Sequence, residues 1–243
     1  MQYYSKIDTI FKRDLEKTKV IVPEFTSDLV KTLKDLKWKA TEKIDGTNIS
    51  IIINFTETGG HTSEIRGKSE ASSIPAKLYG VLEQIANRTA WSTIFGRSDD
   101  VKTTWPQQVE VFGEGFGAGI QKAGAKYLSS CVGFVVFDIK VTSRTGTSIW
   151  LTREACEDIA KQAGLPIVPL MGYMTIAEAC KFVKDSFKSK ISQDKDLNAE
   201  GLVLEAPMGI LDRQGKRILT KVKTCDFERY KTKTGQDFPL DWI

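Results

Sequence analysis

Residues 38–55 read as two strands joined by a turn on a glycine. Trp38, Ala40 and Glu42 alternate with Lys39, Thr41 and Lys43, the period-two pattern that sends successive side chains to opposite faces of a strand. A β-branched run, Ile49-Ser50-Ile51-Ile52-Ile53-Asn54-Phe55, starts a second strand just after Asp45-Gly46-Thr47-Asn48. Lys43 is therefore held at a strand end with its direction set by the sheet. Gly46 lets the chain turn and lets a ligand approach the backbone closely. A lysine held beside a carboxylate and an amide is a candidate nucleophile. K-x-D-G alone equally describes an ordinary hairpin with a surface lysine, so the rest of the chain has to decide.

Elimination narrows the chemistry. One histidine in 243 residues excludes a His-cluster metal site and argues against histidine-based acyl transfer, so the chemistry is expected to rest on lysines and carboxylates. That histidine, His61, follows Thr58-Gly59-Gly60 and reads as a solvated loop residue. Cys131, Cys156, Cys180 and Cys225 are far apart with no C-x-x-C pair, which points to small buried hydrophobes and not to a zinc knuckle or disulfide framework. No apolar run approaches the roughly 18 residues of a membrane span, and the N-terminus lacks a signal-peptide pattern. A cytoplasmic protein with no membrane association is expected, and no obligate protein partner is evident. The net charge of +4 fits a phosphate-rich partner without requiring one.

Further along, Leu29, Val30, Leu33 and Leu36 recur at helical spacing, predicting an amphipathic helix over residues 27–37. Pro75 opens a helix bearing Leu78, Val81, Leu82 and Ile85. Residues 87–105 read as loop, with Asp99-Asp100 as turn chemistry. A strand over 108–112 runs into the glycine-rich stretch 113–119, which fits neither G-x-G-x-x-G nor a Walker loop and reads as a flexible turn exposing Glu114. Residues 131–141 form the most hydrophobic strand, in which Asp138 needs a partner. Thr152 caps one helix, and the box Thr175-x-x-Glu178 opens another. Strands over 200–205 and 217–223 follow. One mixed α+β domain of mainly antiparallel sheets flanked by helices is expected over 1–243.

Read together, Lys43-Ile44-Asp45-Gly46-Thr47-Asn48, Val111-Phe112-Gly113-Glu114, Phe137-Asp138-Ile139, Ala199-Glu200-Gly201-Leu202-Val203 and Leu219-Thr220-Lys221-Val222-Lys223 resemble the ordered motifs of the covalent nucleotidyltransferases. Within that superfamily the pattern is similar to the RNA ligase 2 group, that of the bacteriophage T4 and trypanosome editing ligases, because DNA ligases usually carry arginine where Asn48 stands. The resemblance implies an ATP-grasp-like adenylyltransferase core and an ATP-dependent RNA ligase that passes AMP from Lys43 to an RNA 5′-phosphate in RNA repair. It implies that ATP and Mg²⁺, with Mn²⁺ able to substitute, are cofactors, and that RNA ends of a nicked duplex or single strand are partners. Lys221 and Lys223 would act with Lys43 on the phosphates. Glu42 would receive the adenine amino group, Phe137 would stack on adenine, and Arg66 with Glu114 would hold ribose or phosphate. Asn48 and Glu200 would also meet the nucleotide, and Asp45, Asn48 and Glu200 would hold the hydrated metal.

Chemistry asks for these residue types independently. A lysine that attacks a phosphate must be unprotonated although its reference pKa is about 10.4, so desolvation and nearby cations have to act on it. Each assignment has an ordinary counterpart: Phe137 suits a core position equally well, and Lys221 or Lys223 alone suits a solvated strand. Capping-type guanylyltransferases, small DNA ligases and non-catalytic RNA-binding proteins share the fold and stand as the alternatives. Two departures from the family pattern matter. Glu205 stands where many relatives have a base, and the motifs end about twenty residues before the last residue, leaving no room for an accessory domain or OB-fold within 1–243. Weak RNA binding is the expectation from both.

Overall fold

The computed structural model describes residues 4–14, 19–96 and 106–243. Chain contacts divide it into two units: unit one holds Tyr4 and Asp45–Val168, and unit two holds Ser5–Ile44 and Pro169–Ile243. The chain thus passes from unit two to unit one directly after Lys43-Ile44.

The N-terminal part of unit two contributes β1 (Asp8–Thr9), β2 (Phe11–Arg13), β3 (Ile21–Phe25), helix α1 (Asp28–Thr32) and β4 (Trp38–Lys43). The alternation in β4 is realised: Trp38, Ala40 and Glu42 are buried, while Lys39, Thr41 and Lys43 are half-exposed. Helix α1 is much shorter than the expected 27–37. Ser27 makes no side-chain cap, only Val30 is buried in the helix, and Leu29 and Leu36 remain 41% and 40% exposed, so little apolar contact supports further turns.

Unit one is built on an antiparallel sheet. Its elements are β5 (Thr47–Phe55), β6 (His61–Gly67), α2 (Ala76–Arg88), α3 (Trp91–Phe95), β7 (Gln108–Gly117), α4 (Gly124–Tyr127), β8 (Val132–Thr142), β9 (Ser148–Trp150) and α5 (Arg153–Gln162). The strand order is β6-β5-β7-β8-β9. Ile49, Ile51 and Ile53 join Val109, Val111 and Ile139 in one core with Leu78 and Leu82 of α2 and Cys156 of α5. Three expectations change here. The glycine-rich stretch is not a turn but the second half of β7, where Gly113 lies against the Phe134 ring and Gly115 against Leu78, so larger residues have no space. Part of 87–105 is helix α3, anchored by the buried Trp91, and Asp99-Asp100 lies outside the described residues. His61 begins β6 half-buried, its Nδ1 3.2 Å from Ser92 Oγ, rather than sitting in a loop.

The chain then returns to unit two with β10 (Leu170–Met174), α6 (Ile176–Lys184), β11 (Gly201–Glu205), β12 (Leu219–Lys223) and α7 (Thr224–Thr234). The main sheet has the order β1-β12-β11-β4-β10, antiparallel except for the β1–β12 pair. Its apolar face, Trp38, Ala40, Leu202, Leu204 and Val222, packs with Ile176, Ala179, Cys180 and Val183 of α6. The capping box of α6 forms as the sequence predicts, Thr175 and Glu178 each bonding the other's backbone N–H. Two cysteines, Cys156 and Cys180, are buried and two, Cys131 and Cys225, are exposed. No helix among the described residues is long and apolar enough to cross a membrane.

Candidate active-site residues

In unit two the site grows from the non-core face of β4, β11 and β12. Gly201 lies opposite both Lys43 and Lys223 in the strand register, so these two lysines flank the start of β11. Glu200 precedes that glycine. Its Oε2 accepts from Lys43 Nζ at 2.5 Å and its Oε1 pairs with Lys223 Nζ at 2.6 Å, so a single carboxylate holds both ammonium groups. Lys221 lies two residues before Lys223 on β12, across from Val203, and shares its face by strand parity. All three side chains of the cluster are mostly shielded from water, which strengthens their mutual attraction. Burial alone would lower the pKa of Lys223; the hydrogen bond and the negative charge of Glu200 outweigh it and raise the value above the ordinary lysine range. Lys223 therefore remains a cation at neutral pH.

Local backbone chemistry explains how Glu200 is aimed. Gly201 has φ +150°, and a Cβ there would lie 2.0 Å from the Val222 carbonyl oxygen, so only glycine fits. Thr224 pins the same stretch from the other side. Its N–H donates to the Glu200 carbonyl at 3.0 Å and its buried hydroxyl donates to the Ala199 carbonyl at 3.1 Å.

Glu42 occupies the opposite side of β4 from Lys43. Its carboxylate, only 1% exposed, accepts from Ser189 Oγ at 2.5 Å and from the Lys190 N–H at 2.9 Å. Burial raises its pKa above the usual carboxylate value, and the two hydrogen bonds and the Lys190 charge offset that rise only in part. In this arrangement the carboxylate anchors the segment that leads into Glu200.

Unit one carries the remaining sequence-predicted residues. Asp45 donates its backbone N–H to Tyr127 Oη at 3.4 Å, and the Gly46 carbonyl accepts from Gln121 Nε2 at 3.1 Å. A Cβ on Gly46 would come within 2.3 Å of the Gly115 carbonyl oxygen, so the motif turn is seated directly on β7. Asn48 and Glu114 are direct cross-strand partners on β5 and β7. Arg66, on β6 opposite Ser50, pairs with Glu64, its Nε and Nη2 each donating to one carboxylate oxygen. Phe137 falls at the register shift of β8, a bulge between the Asp138 and Val136 pairings, and is half-buried. Its ring meets Tyr4 edge-on at 5.0 Å, and Tyr4 Oη donates to the buried Asp138 at 3.0 Å, the partner that aspartate needed.

The structure thus joins Lys43 and Lys223 through Glu200, leaves Lys221 on their face by strand parity, and sets Asn48 beside Glu114; it places Glu42 on the reverse of the lysine face. Sequence reading missed Tyr4, Gln121, Tyr127, Ser189 and Thr224. Their contacts are long-range, and only Thr224, directly after Lys223, had a positional signal.

Among the described residues no group of three or more His, Cys, Asp or Glu is placed to hold a metal ion. Mg²⁺ is typically held by one or two carboxylates together with substrate phosphates, and a carboxylate engaged by two ammonium groups keeps acceptor capacity. Within unit two, Glu200 is a donor of that type and fits an ion that arrives with a triphosphate.

The fold is that of an RNA ligase nucleotidyltransferase core. A point mutant of Naegleria gruberi RNA ligase with ATP and Mn aligns over 93% of this chain and 58% of that chain, with TM-score 0.55 and 17% identity. The same ligase with PPi aligns over 97% and 65% at TM-score 0.53 and 16% identity. A mutant with AMP and Mn aligns over 97% and 65% at TM-score 0.51 and 15% identity. The chain therefore spans less than two thirds of the length of these structures. The RNA ligase family profile matches residues 36–223, and the chain belongs to the RNA ligase family.

Proposed function

We propose that the protein is an ATP-dependent RNA ligase in which Lys43 is the nucleophile. The observation that carries this reading is the Lys43–Glu200–Lys223 cluster on the non-core face of the main sheet of unit two. As an ammonium bound to Glu200, Lys43 is inert; once its proton passes to that carboxylate or to water, the amine can attack the α-phosphorus of ATP. A P–N bond forms, the bond to the pyrophosphate oxygen breaks, and lysyl-AMP results. Lys223, kept cationic by Glu200, and Lys221 beside it neutralise the charge that gathers on the phosphate oxygens. Mg²⁺ or Mn²⁺ entering with ATP would add charge neutralisation; Glu200, Asp45 and Asn48 are proposed as oxygen donors on the strength of their motif positions alone. The phosphate of an RNA 5′ end then takes the AMP, and a 3′-hydroxyl displaces it. Glu42, Arg66, Glu114 and Phe137 are proposed nucleotide-binding residues on the strength of their motif positions.

Support comes from membership of the RNA ligase family and from the structures of the Naegleria enzyme with ATP, AMP and pyrophosphate. The test is label transfer. Incubation with ATP or GTP labelled at the α-phosphate, with Mg²⁺, should label the protein from ATP alone. Addition of a nicked RNA duplex with a 5′-phosphate should chase that label into RNA-adenylate and free AMP. Labelling from GTP alone, or a label that RNA cannot discharge, would contradict the proposal.

A further inference from the structure

The stretch from Arg213 to Lys223 holds Arg213, Lys216, Arg217, Lys221 and Lys223 and no acidic residue, yet the proposed adenylylation uses only its last two lysines. Arg217, Lys221 and Lys223 share strand parity, so the basic row continues down the reactive face away from Lys43. At its middle stands Glu205, the acid found where relatives have a base. Glu205 does not leave that position negative. It lies directly across from Lys39, pairs with it at 2.5 Å, and accepts from Arg217 Nη1 at 3.2 Å, so the group as a whole remains cationic.

Beyond Arg217 the β11–β12 connection is a fixed hairpin. Leu211 bridges Arg217, the Asp212 N–H donates to the Lys216 carbonyl at 2.8 Å, and Asp212 Oδ1 accepts the N–H groups of Gln214 and Lys216 at 2.8 and 2.9 Å. Asp212 is thereby committed to the turn, and Arg213 and Lys216 are left exposed at the tip. Leu211, 51% exposed, lies across from Arg217 below the tip, and Met208, 81% exposed, precedes it in the same connection. A tip that is rigid, cationic and partly apolar matches the phosphates and base or ribose faces of a nucleic acid strand.

We propose that this hairpin, with Lys39, Glu205 and Arg217, is the surface that holds the RNA strand leading to Lys43. The proposal rests on the RNA ligase reading and adds to it the place of the substrate. Phosphates bind the tip bases Arg213 and Lys216 and then Arg217, while Glu205 keeps Arg217 and Lys39 in position. The base missing at 205 is supplied from the neighbouring strands.

The test is binding of a labelled nicked RNA duplex to the full chain across a salt series, measured by anisotropy, with the ATP adduct measured in parallel. The double variant Arg213→Glu with Lys216→Glu should lose about tenfold or more in affinity and flatten the salt slope by about 1.4–1.8, the value of two phosphate contacts. Its ATP labelling should equal that of the wild type. Reversal of two exposed lysines of unit one, Lys77→Glu with Lys161→Glu, should change affinity far less. Equal losses in both double variants, or an unchanged slope in the hairpin variant, would overturn the proposal. So would a change of oligomeric state in Met208→Ser with RNA binding intact, which would assign the tip to a protein contact. Absence of the adduct from wild-type protein is a separate result and would fall on the ligase reading.

Discussion

A single carboxylate pairs with two lysines on this sheet. Replacing Glu200 by alanine removes the carboxylate that pairs with both Lys43 and Lys223, and replacing it by glutamine leaves one acceptor for two ammonium groups. Adduct formation should fall by about 10²–10³ in Glu200→Ala, the scale of losing a preorganised electrostatic partner, and single-turnover labelling from ATP measures it. Glu42 makes a pH prediction with the opposite character. Because burial raises its folded pKa above the value of 4.5, the folded state binds its proton more tightly than the unfolded chain. The associated stability is present below 4.5 and is lost as pH rises through the raised pKa. Thermal unfolding of Glu42→Gln and wild type should therefore show the variant gaining relative to the wild type as pH rises from 4 into the neutral range; a constant difference across that range would refute it.

At the scale of elements, the join between β11 and β12 sets the site. Gly201→Ala places a Cβ against the Val222 carbonyl in a backbone region closed to side chains, and should cost about 1–3 kcal/mol by urea denaturation while depressing the adduct further than stability alone explains. Thr224→Ser keeps both hydrogen bonds and should behave as wild type. Thr224→Val keeps the shape but leaves the Ala199 carbonyl without its hydroxyl donor, and should slow adduct formation. Much of this was legible from pattern. The alternation of Trp38 to Lys43, the Thr175 capping box and the order of lysines and acids along strands are local signals, and they reappear as β4, α6 and the lysine face. What could not be read depended on partners distant in sequence. Leu29 to Leu36 has helical spacing, but too little core contact reaches it to extend α1. The glycines of 113–117 look like a turn until Phe134 and Leu78 are seen to need their space. Glu205 looks like a lost base until Lys39 and Arg217 are found on either side of it.

For the molecule as a whole, a net charge of +4 is modest, but the run from Arg213 to Lys223 concentrates it on one hairpin of unit two. Capture of ATP by Lys43 involves short-range contacts, whereas holding RNA displaces condensed counterions, so the two activities should part company as salt rises. Adduct formation should vary little between about 50 and 200 mM salt, while sealing of a nicked duplex should fall by an order of magnitude or more over the same range. Parallel decline of both would place RNA affinity somewhere other than a charge-dominated surface. The central claim, that Lys43 is the residue adenylylated, has one direct measurement: intact mass of the protein after incubation with ATP and Mg²⁺, for wild type, Lys43→Ala and Lys43→Arg, followed by peptide mapping. The prediction is one added AMP on wild type, mapped to Lys43, and none on either variant, since arginine preserves the cation but not the nucleophile. An AMP that persists in Lys43→Ala, or that maps to another residue of wild type, would contradict it.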